Sequence, residues 1–537
     1  MQTTTPTLVP TPPEYRDPEY ALHPDGTRVE RLEDITRRRA AVTPDAVAVI
    51  TPEATTTFRD LDLEASKVAQ ALLAAGVTPG DRVAYVGENA PSFLAVMYGA
   101  SKMGGVPTAL NFRLAGPEVA YILGNAEPAA IVLGRGMEHL ANVAREAGVG
   151  LVVTIAGHPG TTSYDEWLAD VPATDPGYSR GPDESALMFY TSGTTGYPKG
   201  IELTGPNIGK AIAAMHYLLE LDTTSVALAP VPFFHVSGLG LALVAGVNGA
   251  ALLLRNQTSP ADLLSILQEY HVSHAVAVPT LIQFMVAQPE ARTADWSALK
   301  YLIYGSSPIP EPVLREATDV FGCKFLQSYG LTESTGGVTM LSPEDHRPTP
   351  ETAHRLRSVG RPMPNVPVRV VDPTTGADLP PGERGEVLIG GGHVMKRYWR
   401  NPEATAAAIT DDGWLRTGDG GSFDEDGYLY LHDRLKDMIV SGGENVYPAE
   451  VESTLTGHPA IAQVAVIGVP SERWGESAYA VVVPAPDATV TEAEIIAWAR
   501  ERMAHFKCPV GVAFVDALPL NASGKLLKTA LRSEYAG

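Results

Sequence analysis

The segment Tyr190-Thr191-Ser192-Gly193-Thr194-Thr195-Gly196-Tyr197-Pro198-Lys199-Gly200 concentrates hydroxyls, glycines and one lysine. That composition suits a mobile loop that wraps a polyphosphate. Glycines let the backbone approach closely and take up positive φ. Backbone N–H groups and hydroxyls then donate to phosphate oxygens, and Lys199 brings a compact charge. This is not the Gly-x-x-x-x-Gly-Lys-Ser/Thr phosphate loop, because Pro198 precedes the lysine and Gly200 follows it. Read alone, the stretch also fits an ordinary polar turn.

Further chemistry-bearing segments follow in order. Gly305-Ser306-Ser307 reads as a loop after a strand. Ser328-Tyr329-Gly330-Leu331-Thr332-Glu333 offers an aromatic face, a hydroxyl and a carboxylate. A hard cation wants carboxylate and phosphate oxygens together, which Glu333 could supply; the same residues alone could cap a helix. Asp419, in Arg416-Thr417-Gly418-Asp419, can accept from two vicinal hydroxyls of a sugar. Asp433-Arg434-Leu435-Lys436-Asp437 is a charge run. Gly442 and Gly443, in Ser441-Gly442-Gly443-Glu444-Asn445-Val446, let a thin substrate pass close to backbone. Lys525 closes the series in Pro519-Leu520-Asn521-Ala522-Ser523-Gly524-Lys525.

These motifs, in this order from about Phe58 to Lys528, resemble the adenylate-forming superfamily of acyl-CoA synthetases, peptide-synthetase adenylation domains and beetle luciferases. The resemblance implies ATP, Mg²⁺ and CoA as cofactors. It implies that Thr191, Ser192, Gly193, Thr194, Thr195, Gly196 and Lys199 surround the phosphates. Gly305, Ser306, Ser307, Ser328, Tyr329 and Gly330 would hold the adenosine, with Tyr329 stacked on adenine. Thr332 would bond the α-phosphate, and Glu333 would hold the metal. Asp419 and Arg434 would take the ribose, and Lys436 would be the hinge. Gly442 and Gly443 would flank the pantetheine tunnel. Lys525 would bridge the attacking carboxylate and the phosphate. Many acyl-CoA synthetases have Gly before the arginine and Asp at the hinge; here Asp433 and Lys436 stand there, a variant also found in the family.

Phe233-Phe234-His235-Val236-Ser237-Gly238 borders the acid pocket that the resemblance implies, with His235, Gly238 and Gly305 on its wall. Amino-acid-activating relatives place an aspartate near His235, and no acid lies in this segment. An apolar carboxylic acid is therefore expected. His235 fits an aromatic gate and a packed core histidine equally well. Three functions fit the motifs. The first is an AMP-forming acyl-CoA ligase of the fatty-acyl or aryl branch. The second is an adenylating enzyme with another acceptor or acid: a carrier-protein thiol, an amine, or an oxyacid such as nitrite. The third is a nucleotide-binding regulatory protein that has lost catalysis, which the full set of Lys199, Glu333, Asp419, Arg434 and Lys525 argues against.

The elements that must position these residues are legible in outline. A chain of 537 residues needs more than one core. Up to about residue 400, strand and helix signals alternate. Helices are expected from Phe58 to Gly76 and from Pro91 to Met103. Strands are expected at Arg82–Val86 and Ala130–Leu133, around Val226, and at 275–278 and Tyr301–Tyr304. This is an α/β pattern with mostly parallel sheets. Short β runs between Gly360 and Ile389 suggest a small antiparallel β subdomain. After Arg434 the pattern becomes α+β, with strands at Val464–Ile467, Ala480–Val483 and Val512–Val515. A helix from Thr491 to Met503 opens on a Thr-x-x-Glu capping signature. The expected division is a large N-terminal domain over 1–434, with residues 1–20 a flexible tail, and a small mobile lid domain over 435–537.

Composition excludes several classes. The formal net charge of -22 argues against nucleic acid or an anionic membrane as partner. Residues 223–254 carry no Asp, Glu, Lys or Arg, but prolines, His235 and Asn248 interrupt them. A buried strand, loop and helix fit there better than a bilayer span. The N-terminus lacks the charged and apolar regions of a secretory signal. Cys323 and Cys508 form no metal or disulfide pattern, which points to a cytoplasmic protein. Composition fixes no oligomeric state; a homodimer is the simplest assembly to test.

Overall fold

The computed structural model describes residue 29 and residues 31–536, except 192–197, 257–258, 306–308, 435–436, 442–443, 472, 487 and 521–525. Of Tyr217, Asp433, Arg434, Val440, Glu444 and Asn445, only the backbone is described. The chain forms two compact units. The first comprises Met1–Val368 and Leu388–Arg416, the second Arg369–Val387 and Thr417–Gly537.

The first unit is built on two large sheets. In the nine-stranded sheet, the central run is Lys324–Leu331, Tyr301–Gly305, His274–Ala277, Val226–Leu228, Ala251–Leu253 and Val47–Ile50, all parallel. Gly336–Leu341 and Arg361–Pro362 extend one edge antiparallel, and Thr55–Thr57 extends the other. In the eight-stranded sheet, Ser185–Thr191, Val106–Leu110, Arg82–Val86, Ala130–Leu133 and Leu151–Thr154 run parallel, with Thr162–Ser163 at one edge. Lys199–Thr204 and Arg397–Tyr398 close the other edge antiparallel. The expected α/β class with mostly parallel sheets is what the chain forms.

Local sequence explains the helices. Phe58–Ala74 buries Phe58, Leu61, Ala65, Val68 and Leu72, spaced at helical intervals. Thr57 and Asp60 make a capping box at its start, and the chain leaves at Gly76 with φ +83°. The charge-free stretch folds as strand Val226–Leu228, helix Val236–Asn248 and strand Ala251–Leu253. Among the described residues, no helix is long and apolar enough to cross a membrane.

A four-stranded sheet joins Val368–Val371, Gly385–Ile389, Leu415–Phe423 and Leu429–Arg434. The β runs expected between Gly360 and Ile389 are only half of it, and Arg361–Pro362 joins the nine-stranded sheet instead. The second unit also holds a five-stranded sheet. Its long hairpin Ile461–Ser471 and Gly475–Pro484 exceeds the two short strands expected there. Val512–Phe514 pairs parallel with it. The helix Glu492–Arg500 starts at the predicted Thr491–Glu494 capping box and ends before Met503. Ile439, Val451, Leu455, Val466, Ala480 and Ile495 form its core.

Candidate active site

Thr191 and Lys199 stand opposite each other as the last pair of an antiparallel hairpin. The strands Ser185–Thr191 and Lys199–Thr204 thus bracket, in sequence, the segment rich in hydroxyls and glycines. Ser192, Gly193, Thr194, Thr195 and Gly196 lie outside the described residues. Lys199 opens its strand rather than standing in the loop.

A third strand locks this hairpin to the segment after Glu333. Tyr398 pairs with Ile201, Arg397 with Glu202, and the Trp399 N–H donates to Gly200 O at 2.7 Å. Glu202 is buried and takes charge-assisted hydrogen bonds from Arg397 and Ser185. The Met395 N–H donates to Glu333 O at 2.8 Å, and the Tyr398 phenol donates to Glu333 Oε1 at 2.8 Å. Lys199 Nζ lies over the same ring, 4.9 Å from its centroid. Lys199 and Glu333 therefore meet on opposite features of one tyrosine.

Two neighbouring strands carry the remaining motif residues of this unit. Gly305 ends Tyr301–Gly305 and pairs with Ser328 on Lys324–Leu331. It is a strand end, where the sequence suggested a loop; Ser306 and Ser307 lie outside the described residues. A Cβ on Gly305 would sit 2.3 Å from Ser328 O, and one on Gly330 would sit 1.8 Å from Gly336 O. Glycine is required at both by the approach of backbone, whatever binds beside them. Thr332 and Glu333 follow the strand in a turn, not a helix cap. Ser334 Oγ accepts from the Leu331 N–H at 2.9 Å and contacts Gly336 O at 2.9 Å. The next residue, Thr335, takes φ +57° and bonds His393 O at 2.8 Å.

Beneath these strands is a buried polar relay. Tyr304 Oη lies 2.9 Å from His346 Nε2, and His346 Nδ1 lies 2.6 Å from Ser342 O. A carbonyl only accepts, so Nδ1 carries the proton and Nε2 accepts from the phenol. Burial pushes His346 down to about 4, which keeps it neutral near pH 7.

His235 caps the helix Val236–Asn248 with extended backbone and packs on Phe234, ring centroids 4.3 Å apart. Phe234 in turn meets Phe112 edge-on at 5.5 Å. Gly238 is needed because a Cβ there would strike Val231 O at 2.5 Å and Pro232 O at 2.6 Å. Asn89, buried, holds the incoming loop. Its Oδ1 accepts from the Phe233 N–H at 2.8 Å and its Nδ2 donates to Val231 O at 3.0 Å.

In the second unit, Asp419 is nearly buried, at 9% exposed. Its N–H donates to Thr417 Oγ1 at 3.0 Å, and Thr417 donates onward to Val387 O at 2.7 Å. Asp419 pairs with Arg434 across two antiparallel strands, so the two motifs meet in register. Lys436, Gly442, Gly443 and Lys525 lie outside the described residues.

Comparison with known proteins shows the family. The family model of the AMP-binding enzymes matches residues 36–399, and that of the AMP-binding enzyme C-terminal domain matches residues 450–525. The chain belongs to the AMP-binding enzymes. Feruloyl-CoA synthase of an Amycolatopsis species is 40% identical over 93% of this chain and 98% of that protein. The long-chain-fatty-acid–CoA ligase FadD13 of Mycobacterium tuberculosis is 38% identical over 93% of this chain and 97% of that one. The crystal structure of ATP-bound MatB from Rhodopseudomonas palustris superposes with a TM-score of 0.86, at 31% identity, over 94% of this chain and 99% of that one.

For an AMP-binding enzyme that uses ATP, the donor set of Glu333 fits Mg²⁺. Among the described residues no three His, Cys, Asp or Glu side chains cluster to hold a metal. A single anchored carboxylate suits an ion that arrives with triphosphate and keeps most ligands from phosphate and water. Sequence reading missed Tyr398 and Asn89. The only local signal for Tyr398 was an aromatic pair set between cations in Lys396-Arg397-Tyr398-Trp399-Arg400.

Proposed function

We propose that this AMP-binding enzyme activates an apolar carboxylic acid as its acyl-adenylate, with release of pyrophosphate. It then transfers the acyl group to the thiol of CoA, giving acyl-CoA and AMP. The observation that carries this reading is the meeting of Lys199 and Glu333 on Tyr398, beside the paired strands that end in Gly305 and Leu331.

A carboxylate is already anionic near neutral pH and needs no general base to attack phosphorus. The obstacle is the approach of two anions. Lys199 and the loop from Thr191 to Gly196 face the phosphates, Thr332 bonds the α-phosphate, and Lys525 bridges acid and phosphate. Glu333 would hold Mg²⁺, which would supply further neutralisation of phosphate charge. Ser328, Tyr329, Gly330 and Gly305 to Ser307 cradle adenosine, and Asp419 and Arg434 take the ribose. His235 and Gly238 border the acid.

In this reading the domain boundary lies between 434 and 435, inside the residues 400–449 that separate the two matched segments, and beyond the division of the compact units at Arg416. Residues 435–537 then form a lid that turns about Lys436, withdraws Lys525 and brings Gly442 and Gly443 beside pantetheine. The two cysteines, both buried and unpaired, support a cytoplasmic enzyme. A homodimer is the assembly to test in solution.

The acid class rests on the uncharged stretch 223–254 and the Phe112–Phe234–His235 aromatic cluster. The test is a panel of fatty, aryl, cyclic and amino acids plus nitrite, with ATP and Mg²⁺, each with and without CoA, and products identified by mass. Acyl-CoA from fatty or aryl acids supports the ligase. AMP without any thioester would move the acceptor to a carrier thiol or an amine.

A further inference from the structure

Tyr398 is 9% exposed, and both its flanks are pinned. Its neighbour Trp399 is bonded to Gly200 O, and Met395 is bonded to Glu333 O. Its own N–H donates to Thr405 Oγ1 at 3.1 Å. A tyrosine that only filled space here would need no charged neighbours. Instead its hydroxyl donates to Glu333 and its ring face receives Lys199. The two contacts reinforce each other. A phenol that donates to a carboxylate gains electron density, which deepens the negative face that attracts a cation.

We infer that Tyr398 is a positioning residue that couples the phosphate-facing Lys199 to the metal-binding Glu333. The inference rests on the roles proposed for those two residues. Tyr398 fixes one oxygen of Glu333, so the carboxylate is aimed before nucleotide and metal arrive. It also gives Lys199 a defined resting place beside that carboxylate rather than a direct ion pair, which would have to be broken on binding.

The test is calorimetric binding of ATP to the full chain, in EDTA and in Mg²⁺, for wild type, Tyr398→Phe, Tyr398→Leu and Glu333→Gln. Tyr398→Phe keeps the ring. It should bind ATP in EDTA within about twofold of wild type and lose about tenfold of the Mg²⁺-dependent gain in affinity. Tyr398→Leu should lose that gain too and bind ATP in EDTA about threefold more weakly. Adding Tyr398→Phe to Glu333→Gln should change nothing further, because the hydroxyl acts through the carboxylate. If Glu333→Gln removes the Mg²⁺-dependent gain and Tyr398→Phe retains it, the coupling is overturned and the role of Glu333 stands. If neither variant alters the gain, the role of Glu333 falls and the coupling falls with it.

Discussion

Tyr398 donates its phenolic proton to Glu333 at 2.8 Å, from a strand that also pairs with the residues following Lys199. One short edge strand thus ties the carboxylate expected to meet the metal to the lysine expected to meet phosphate. Glu333→Ala should raise the Mg²⁺ concentration for half-maximal pyrophosphate release by at least the tenfold, approximately, expected for Tyr398→Phe. A magnesium titration of the initial rate reads this directly. An unchanged response would remove Glu333 from the metal site.

Gly330 and Gly124 make a contrasting pair. A Cβ on Gly330 would lie 1.8 Å from Gly336 O, whereas one on Gly124 meets nothing within 4 Å. Gly330→Ala should destabilise the protein by about 3 kcal/mol or more and suppress adenylation, since the strand pair behind Tyr329 must part. Gly124→Ala, inside the helix Gly116–Ala126, should stabilise by up to about 1 kcal/mol. Denaturant unfolding of both variants checks the two signs together.

His346 gives the protein a defined acid response. Its folded value is about 4 against an ordinary histidine value of 6.5. Below 6.5 the unfolded chain binds the proton and the folded one does not, so acid favours unfolding. Stability should therefore fall as pH drops from 6.5 towards about 4, and the contribution is complete above 6.5. His346→Gln should flatten that slope by up to about 1.4 kcal/mol per pH unit. Equal slopes for variant and wild type would contradict a neutral, buried His346.

Lys525→Ala should suppress adenylation while leaving transfer from a supplied acyl-adenylate to CoA largely intact. In the proposed role the lysine acts on charge that exists only in the first half-reaction, so its loss should cost that step about 100-fold or more. Separate assays of pyrophosphate release and of thioester formation from synthetic acyl-adenylate measure the two. Equal loss in both would contradict the role.

What the sequence made legible follows from where the information is local. The helix Phe58–Ala74 carries its cap and its apolar spacing within its own residues, so both ends could be read. Thr491 and Glu494 marked a helix start for the same reason. The ends of Thr191 and Lys199 strands, and the strand end at Gly305, depend on hydrogen-bonded partners elsewhere and were placed in loops. Gly238 was expected on the acid-pocket wall, whereas the carbonyls that demand glycine there come from a loop held by Asn89, which no local pattern reveals. Tyr398 was missed because its meaning is entirely tertiary: it lies far along the chain from both Glu333 and Lys199.

The two-step chemistry is tested most directly by acid-dependent exchange of labelled pyrophosphate into ATP in the absence of CoA, followed by addition of CoA. With the best acid from the panel, exchange should proceed without CoA. On addition of CoA, acyl-CoA and AMP should then form in equal amounts. Exchange that requires CoA from the start would contradict a free-standing adenylation step. Exchange that proceeds while CoA is never acylated would contradict the thioester product.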